Sequence, residues 1–190
     1  MTSSSEVEVV LGIDPGHVGG ICVLCVSSNK ILATYRMPLK SAQVKSRPNA
    51  KTVDEDEIES IISKYSHAKL CVIEKQRSRP GEGHVGAFSL GFGYGKIIGI
   101  LAGKIPTLPL ESKQWRAISL HPHHQTLYEA YGDDVVDLDG KDLSIETAKA
   151  LHPYFCMPTL KPRGKKLHDG IAEAILMADT ARQKYLESYS

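Results

Sequence analysis

Two apolar runs each end in a carboxylate: Val9-Val10-Leu11-Gly12-Ile13-Asp14 and Leu70-Cys71-Val72-Ile73-Glu74. Near the C-terminus Asp169 and Glu173 stand four residues apart, just after the basic stretch Lys161-Pro162-Arg163-Gly164-Lys165-Lys166. An acid at the tip of an apolar strand is costly unless it is solvated, hydrogen-bonded or bound to a metal. Alone, Asp14 before Pro15-Gly16 reads as a turn-capping residue. Alone, Asp169 and Glu173 read as negative charge at a helix N-terminus, which the helix dipole favours. Together they read differently. Carboxylates brought within a few ångströms repel strongly unless a cation sits between them. Acids that hold metals, flanked by cations that hold a nucleic-acid backbone, are what metal-assisted phosphodiester cleavage requires.

The elements that must position these acids follow from hydrophobic patterning. Residues 7–14 read as a strand, broken by Pro15-Gly16. Residues 21–27 read as a fully covered strand and residues 31–38 as its antiparallel partner across Ser28-Asn29-Lys30. Residues 42–51 are polar and read as an exposed loop. Thr52-Val53-Asp54-Glu55 has capping-box spacing. Asp54 to Glu57 then load a helix start, and Ile58, Ile61, Ile62 and Tyr65 give its apolar face. That acidic run has a sufficient structural cause and is not nominated for chemistry. Two strands ending in acids, separated by a hairpin and a helix, predict a mixed sheet carrying Asp14 and Glu74 at one edge.

Residues 84–103 read as a helix in which Gly91, Gly95, Gly99 and Gly103 recur every four positions. Such a face lets another backbone approach closely. Packing on the sheet within the subunit is the favoured reading, with a dimer contact as the alternative. Residues 105–110 read as a short strand that Pro106 and Pro109 mark as an edge or irregular one. Residues 111–118 read as a helix carrying Trp115, and residues 119–143 as an irregular insertion. Residues 144–152 read as a short helix with Ser144 as its N-cap. The last helix carries Ile171, Ile175 and Ala178 as its apolar stripe.

Composition narrows the class. With 190 residues, 42% hydrophobic and 24% charged, the chain suits one globular domain. No apolar run is long enough to span a membrane, and no secretory signal is visible at the start of the sequence. The net charge of +1 does not by itself announce a polyanion partner. Cys22 and Cys25 lie three apart on a strand, so their sulfurs point to opposite faces and do not converge on a metal. Buried, reduced thiols are the expectation. His121, His123 and His124 lack a defined ligand spacing and read as a solvated loop.

The order of elements resembles the α/β RNase H-like fold, a mixed central sheet flanked by helices. Gly12-Ile13-Asp14-Pro15-Gly16, Val72-Ile73-Glu74 and His168-Asp169-Gly170-Ile171-Ala172-Glu173-Ala174 resemble the RuvC-type Holliday junction resolvases. Glu74-Lys75, Tyr94-Gly95 in the glycine-rich helix, Trp115 after a short strand, and the Asp-Gly-x-Ala-Glu-Ala signature look most like the chloroplast resolvases of plants and algae. The resemblance covers about residues 8–182. It implies a homodimer that grips four-way junction DNA and nicks one strand per subunit. It implies two Mg²⁺ ions about 3.5–4 Å apart, with Mn²⁺ able to substitute. Asp14 would bridge them, and Glu74, Asp169 and Glu173 would complete the coordination. Lys75, Arg77, Arg79, Lys113, Arg116, Lys161, Arg163, Lys165 and Lys166 are the phosphate contacts expected with it. Bacterial RuvC usually carries the last two acids three apart, whereas here they are four apart. Asp169 is therefore the less secure of the two, and His168 enters as a further ligand or a general acid. The compartment implied is a chloroplast or other organelle, with a bacterial cytoplasm as the alternative.

Three rival functions meet the same residues. An actin-like ATPase or sugar kinase also opens on a Gly-x-Asp strand but needs a duplicated domain, and there is no internal repeat. A non-cutting binder of branched nucleic acid gains nothing from clustered acids. A nuclease for another structured nucleic acid, such as an RNA–DNA hybrid, stays within the same chemistry.

Overall fold

The structure, a computed structural model, describes residues 7–42, 49–78, 81, 83–123, 127 and 140–189. The chain opens with β1 (Val9–Asp14), β2 (Gly20–Cys25) and β3 (Ile31–Arg36), an antiparallel meander. Two short strands, β4 (Leu39–Ser41) and β5 (Lys51–Val53), pair apart from the main sheet. Then come α1 (Glu55–Lys64), β6 (Cys71–Glu74), α2 (His84–Leu101), β7 (Thr107–Leu110), α3 (Ser112–Ser119), α4 (Gly140–Leu151) and α5 (Asp169–Glu187). The main sheet runs β3-β2-β1-β6-β7. β6 is parallel to both β1 and β7. A parallel neighbour requires a crossover, and α1 and α2 supply the two.

The sheet is covered on both faces, as the near-continuous apolar strands require. Val9, Leu11 and Ile13 of β1 face Ile58 and Ile62 of α1 and Ile97 and Leu101 of α2. Val10 faces the other way, into a core with Trp115, Ile171, Ala174 and Ala178. The alternation that divides β1 between two cores also explains Gly12. A Cβ there would lie 2.1 Å from the Ala174 carbonyl oxygen and 2.2 Å from the Ala178 nitrogen. Gly12 is what lets the last helix lie directly on the strand that carries Asp14.

Several expectations are corrected. The cap of α1 is Asp54, which accepts from the Glu57 N–H, while Thr52 belongs to β5. Ser144 is not an N-cap: it is buried within α4, its hydroxyl donating to the Gly140 carbonyl. Helix α5 is more than a striped amphipathic helix. Ala172, Leu176 and Met177 are buried along with Ile171 and Ile175, because α3 and α4 cover its outer side.

The glycine face of α2 does not pack on the sheet. Gly93, Ile97 and Leu101 are the buried positions, while a Cβ at Gly91, Gly95 or Gly99 would meet nothing within 4 Å. Gly103 lies past the helix, at φ +74°, as the left-handed residue that ends it. Cys22, Cys25 and Cys71 are buried free thiols, and Cys156 is free and exposed. Arg79, His124 and most of 119–143 lie outside the described residues.

Candidate active site

Because β1 and β6 are parallel and paired at Ile13 and Ile73, they end together. Asp14 and Glu74 are the next residues on each strand. Glu173, one turn into α5, completes the group. One carboxylate oxygen from each of Asp14, Glu74 and Glu173 lies within 4.8 Å of the other two. All three side chains are half-buried. They line an open cleft of about 520 Å³ together with Gly16, Val18, Gly19, Gln76, Ser112, Arg116, Gly140, Lys141 and Asp169. A larger hollow beside Ser28–Ile31 and Leu151–Phe155 lies at the opposite end of the sheet and holds none of these acids.

The electrostatics of the cleft are those of crowded acids. Burial pushes the Asp14 carboxyl up to about 6, against the pull of the Gly16 N–H that it accepts at 3.0 Å. The charges of Glu74 and Asp169 raise it further. Burial and the charge of Asp14 push Glu173 up to about 7, although Arg116 pulls it down. Groups that resist ionising side by side are ready to exchange protons for a hard cation, and an all-oxygen donor set suits Mg²⁺ or Mn²⁺. The residues present therefore fit a divalent metal.

Asp169 lines the same cleft but is not one of the three converging carboxylates. It is buried, which raises its pKa, yet it is held below the usual range by Lys141, whose ammonium lies 2.5 Å away. His168 is the N-cap of α5: its Nδ1 accepts the Ile171 N–H at 3.2 Å. Burial and the nearby Arg36 lower its pKa. Its Nδ1 is thus committed to the helix end, and His168 is not part of the Asp14, Glu74 and Glu173 group.

The predicted phosphate contacts fall into different settings. Lys75 and Lys113 are exposed beside the cleft-lining Glu74 and Ser112. Arg77 is paired with Glu111, the N-cap of α3, which ties the loop after β6 to that helix. Arg116 points inward, onto Glu173 at 2.6 Å. Lys161, Arg163, Lys165 and Lys166 are all exposed on a hairpin closed by the Thr159–Leu167 bridge and the Leu160 N–H to Lys166 carbonyl bond. Its tip is a turn from Lys161 to Gly164, with Arg163 at φ +61°. Arg36 braces the hairpin by donating to the Thr159 and Leu160 carbonyls.

Sequence reasoning missed Lys141 and the brace at Arg36. Lys141 fell in the stretch read as an insertion, and no local pattern marks a lysine that meets Asp169 across 28 residues of chain. Of the 121–124 run, His123 joins no metal-holding group among the described residues.

Comparison with known proteins agrees with this architecture. No protein-family model matches the chain, and no curated protein matches it significantly. Solved structures do match. Thermus thermophilus RuvC superposes with a TM-score of 0.56 at 17% identity, over 95% of this chain and 96% of that one. T. thermophilus RuvC in complex with a Holliday junction substrate superposes with a TM-score of 0.56 at 14% identity, over 96% of each chain. The fold is α/β and RNase H-like.

Proposed function

We propose that this protein is a metal-dependent endonuclease that resolves four-way DNA junctions. The observation that carries the reading is the convergence of Asp14, Glu74 and Glu173 at the ends of two parallel strands and the start of the last helix. It is supported by the likeness to a RuvC whose structure holds a Holliday junction.

Asp14, Glu74 and Glu173 would hold the divalent ions, with Asp169 at the rim. Divalent ions held there, two Mg²⁺ in this reading, would supply an attacking water of lowered pKa and charge neutralisation at the leaving 3′-oxygen. The chain's own residues do the rest. Gly16 fixes the Asp14 carboxylate through its N–H. Lys141 keeps Asp169 ionised and places a positive charge at the cleft edge. The basic hairpin, rigid through its bridge and its Arg36 brace, delivers four cations immediately before the helix that carries Glu173. Cations at that place hold backbone without reading bases.

Symmetric nicking requires two active sites, and α2 offers the surface for a second copy. Phe88, Phe92, Gly95 and Gly99 recur along one face of the helix. Phe88 and Phe92 are 73% and 51% exposed and stack at 5.8 Å. Glycines that meet nothing allow close backbone approach. Organelle residence, as in the chloroplast resolvases the sequence resembles, belongs to the same reading.

The deciding experiment is incubation of an immobile four-way junction with the protein, in Mg²⁺ or EDTA, beside duplex and RNA–DNA hybrid controls. Paired symmetric nicks that need metal and vanish in Asp14→Asn, with binding retained, are expected. Junction binding without nicking under any metal refutes the nuclease, and preferential cutting of the hybrid reassigns the substrate.

A further inference from the structure

Arg116 was expected on the DNA surface, yet its guanidinium is built into the acid cluster. Its Nη2 donates to Glu173 Oε1 at 2.6 Å, its Nε to the Ser112 hydroxyl at 3.1 Å, and its Nη1 to the Gly140 carbonyl at 3.3 Å. Its Cζ lies 4.8 Å from the ring centroid of Trp115, which is fully buried. The side chains of Arg116 and Glu173 are only 23% and 16% exposed. This differs from the pair of Lys141 with Asp169, where the lysine is 61% exposed.

A guanidinium held at this many points is pre-organised, so little side-chain freedom is lost in keeping it there. It takes up one oxygen of an acid whose other partners in the cluster are Asp14 and Glu74. A fixed positive charge in contact with a ligand oxygen opposes the arrival of a second cation.

We propose that Arg116 is a resident cation of the metal site: in the free protein it holds Glu173 in place and keeps divalent-metal binding weak. It is thus a positioning residue acting through Glu173. An incoming phosphodiester, itself a bidentate acceptor for a guanidinium, offers Arg116 an alternative partner, so full metal loading awaits nucleic acid. The inference rests on the nuclease reading above.

The test is Mn²⁺ binding to the DNA-free protein, followed by loss of the free-ion EPR signal. It is run at pH 8.5, above the value of about 7 for Glu173. Wild type, Arg116→Gln, Arg116→Lys and Asp14→Asn are compared. Removing one like charge beside the ligand oxygen is expected to tighten Mn²⁺ binding about tenfold in Arg116→Gln, while Arg116→Lys, which keeps the charge but loses the Ser112 and Gly140 anchors, tightens it only about twofold and Asp14→Asn loses the site. Should Arg116→Gln fail to fold, Ser112→Ala, which removes only the Nε anchor, is read in its place, with a tightening of about twofold expected. Unchanged or weaker Mn²⁺ binding in these variants, with Asp14→Asn still losing the site, overturns the role of Arg116 and leaves the nuclease standing. Equal binding by wild type and Asp14→Asn overturns the metal site and this inference with it.

Discussion

Replacing Asp14 by Asn should make the metal-free protein more stable, not less, at alkaline pH. Burial, opposed by the Gly16 N–H and reinforced by Glu74 and Asp169, moves the Asp14 carboxyl from 3.8 to about 6. An acid whose folded pKa is raised binds its proton more tightly in the native state than in the unfolded chain. Stability therefore falls as pH rises from about 4 to about 6, and stays lowered above that. The full displacement corresponds to roughly 3 kcal/mol at pH 8. Water entry and side-chain relaxation in an open cleft reduce this, and about 1.5 kcal/mol is the expected gain. Asparagine keeps an oxygen to accept the Gly16 N–H, so the turn is preserved. The assay is urea unfolding in EDTA, read by the fluorescence of Trp115, the single tryptophan. The Asn variant should exceed wild type at pH 8, and the difference should largely vanish at pH 4. Saturating Mg²⁺ should then stabilise wild type alone, since only the native site binds it. An Asn variant that is equal to or less stable than wild type at pH 8 in EDTA would refute the claim that this carboxylate is strained for want of a cation.

Three other outcomes are expected. Gly12→Ala drives a Cβ to within 2.1 Å of the Ala174 carbonyl and 2.2 Å of the Ala178 nitrogen, both backbone atoms that cannot swing away. A loss of about 3 kcal/mol or more in urea unfolding is expected. Lys161→Ala with Lys165→Ala removes two exposed hairpin cations. Junction affinity should fall, and the slope of log K against log salt should become shallower by about 0.9 for each phosphate no longer neutralised, measured by fluorescence anisotropy. Gly95→Leu adds a side chain where nothing lies within 4 Å. The fold should keep its thermal stability or gain about 1 kcal/mol from helix propensity, while sedimentation equilibrium should show loss of the dimer proposed above.

Much of this protein was legible in its sequence because the legible parts are local. A hydrophobic run closed by Asp14 or Glu74 dictates a strand with an acid at its tip, and the continuous apolar run of β1 dictates two covered faces. Pro109 marked β7 as an edge strand, which it is. The basic 161–166 stretch, rich in turn residues, had to be an exposed loop. What misled was pattern without a partner: glycines every four residues in α2 signalled close approach, but not by what. Ser144 looked like a cap because the turn of helix before it opens on Gly140, Lys141 and Asp142, with only Leu143 apolar.

The sequence by itself determined the acids, the strands that carry two of them and the helix that carries the others. Only the tertiary structure decided which oxygens converge. Pairing of Ile13 with Ile73 brings Asp14 and Glu74 level, and Gly12 lets α5 close enough to add Glu173 while leaving Asp169 at the rim with Lys141. The structure also turned Arg116 from a surface cation into a partner of Glu173 and made His168 a helix cap. The physical reason is range. Propensity and periodicity act over a few residues, whereas carboxylate geometry depends on strand register and helix seating across more than 150 residues of chain.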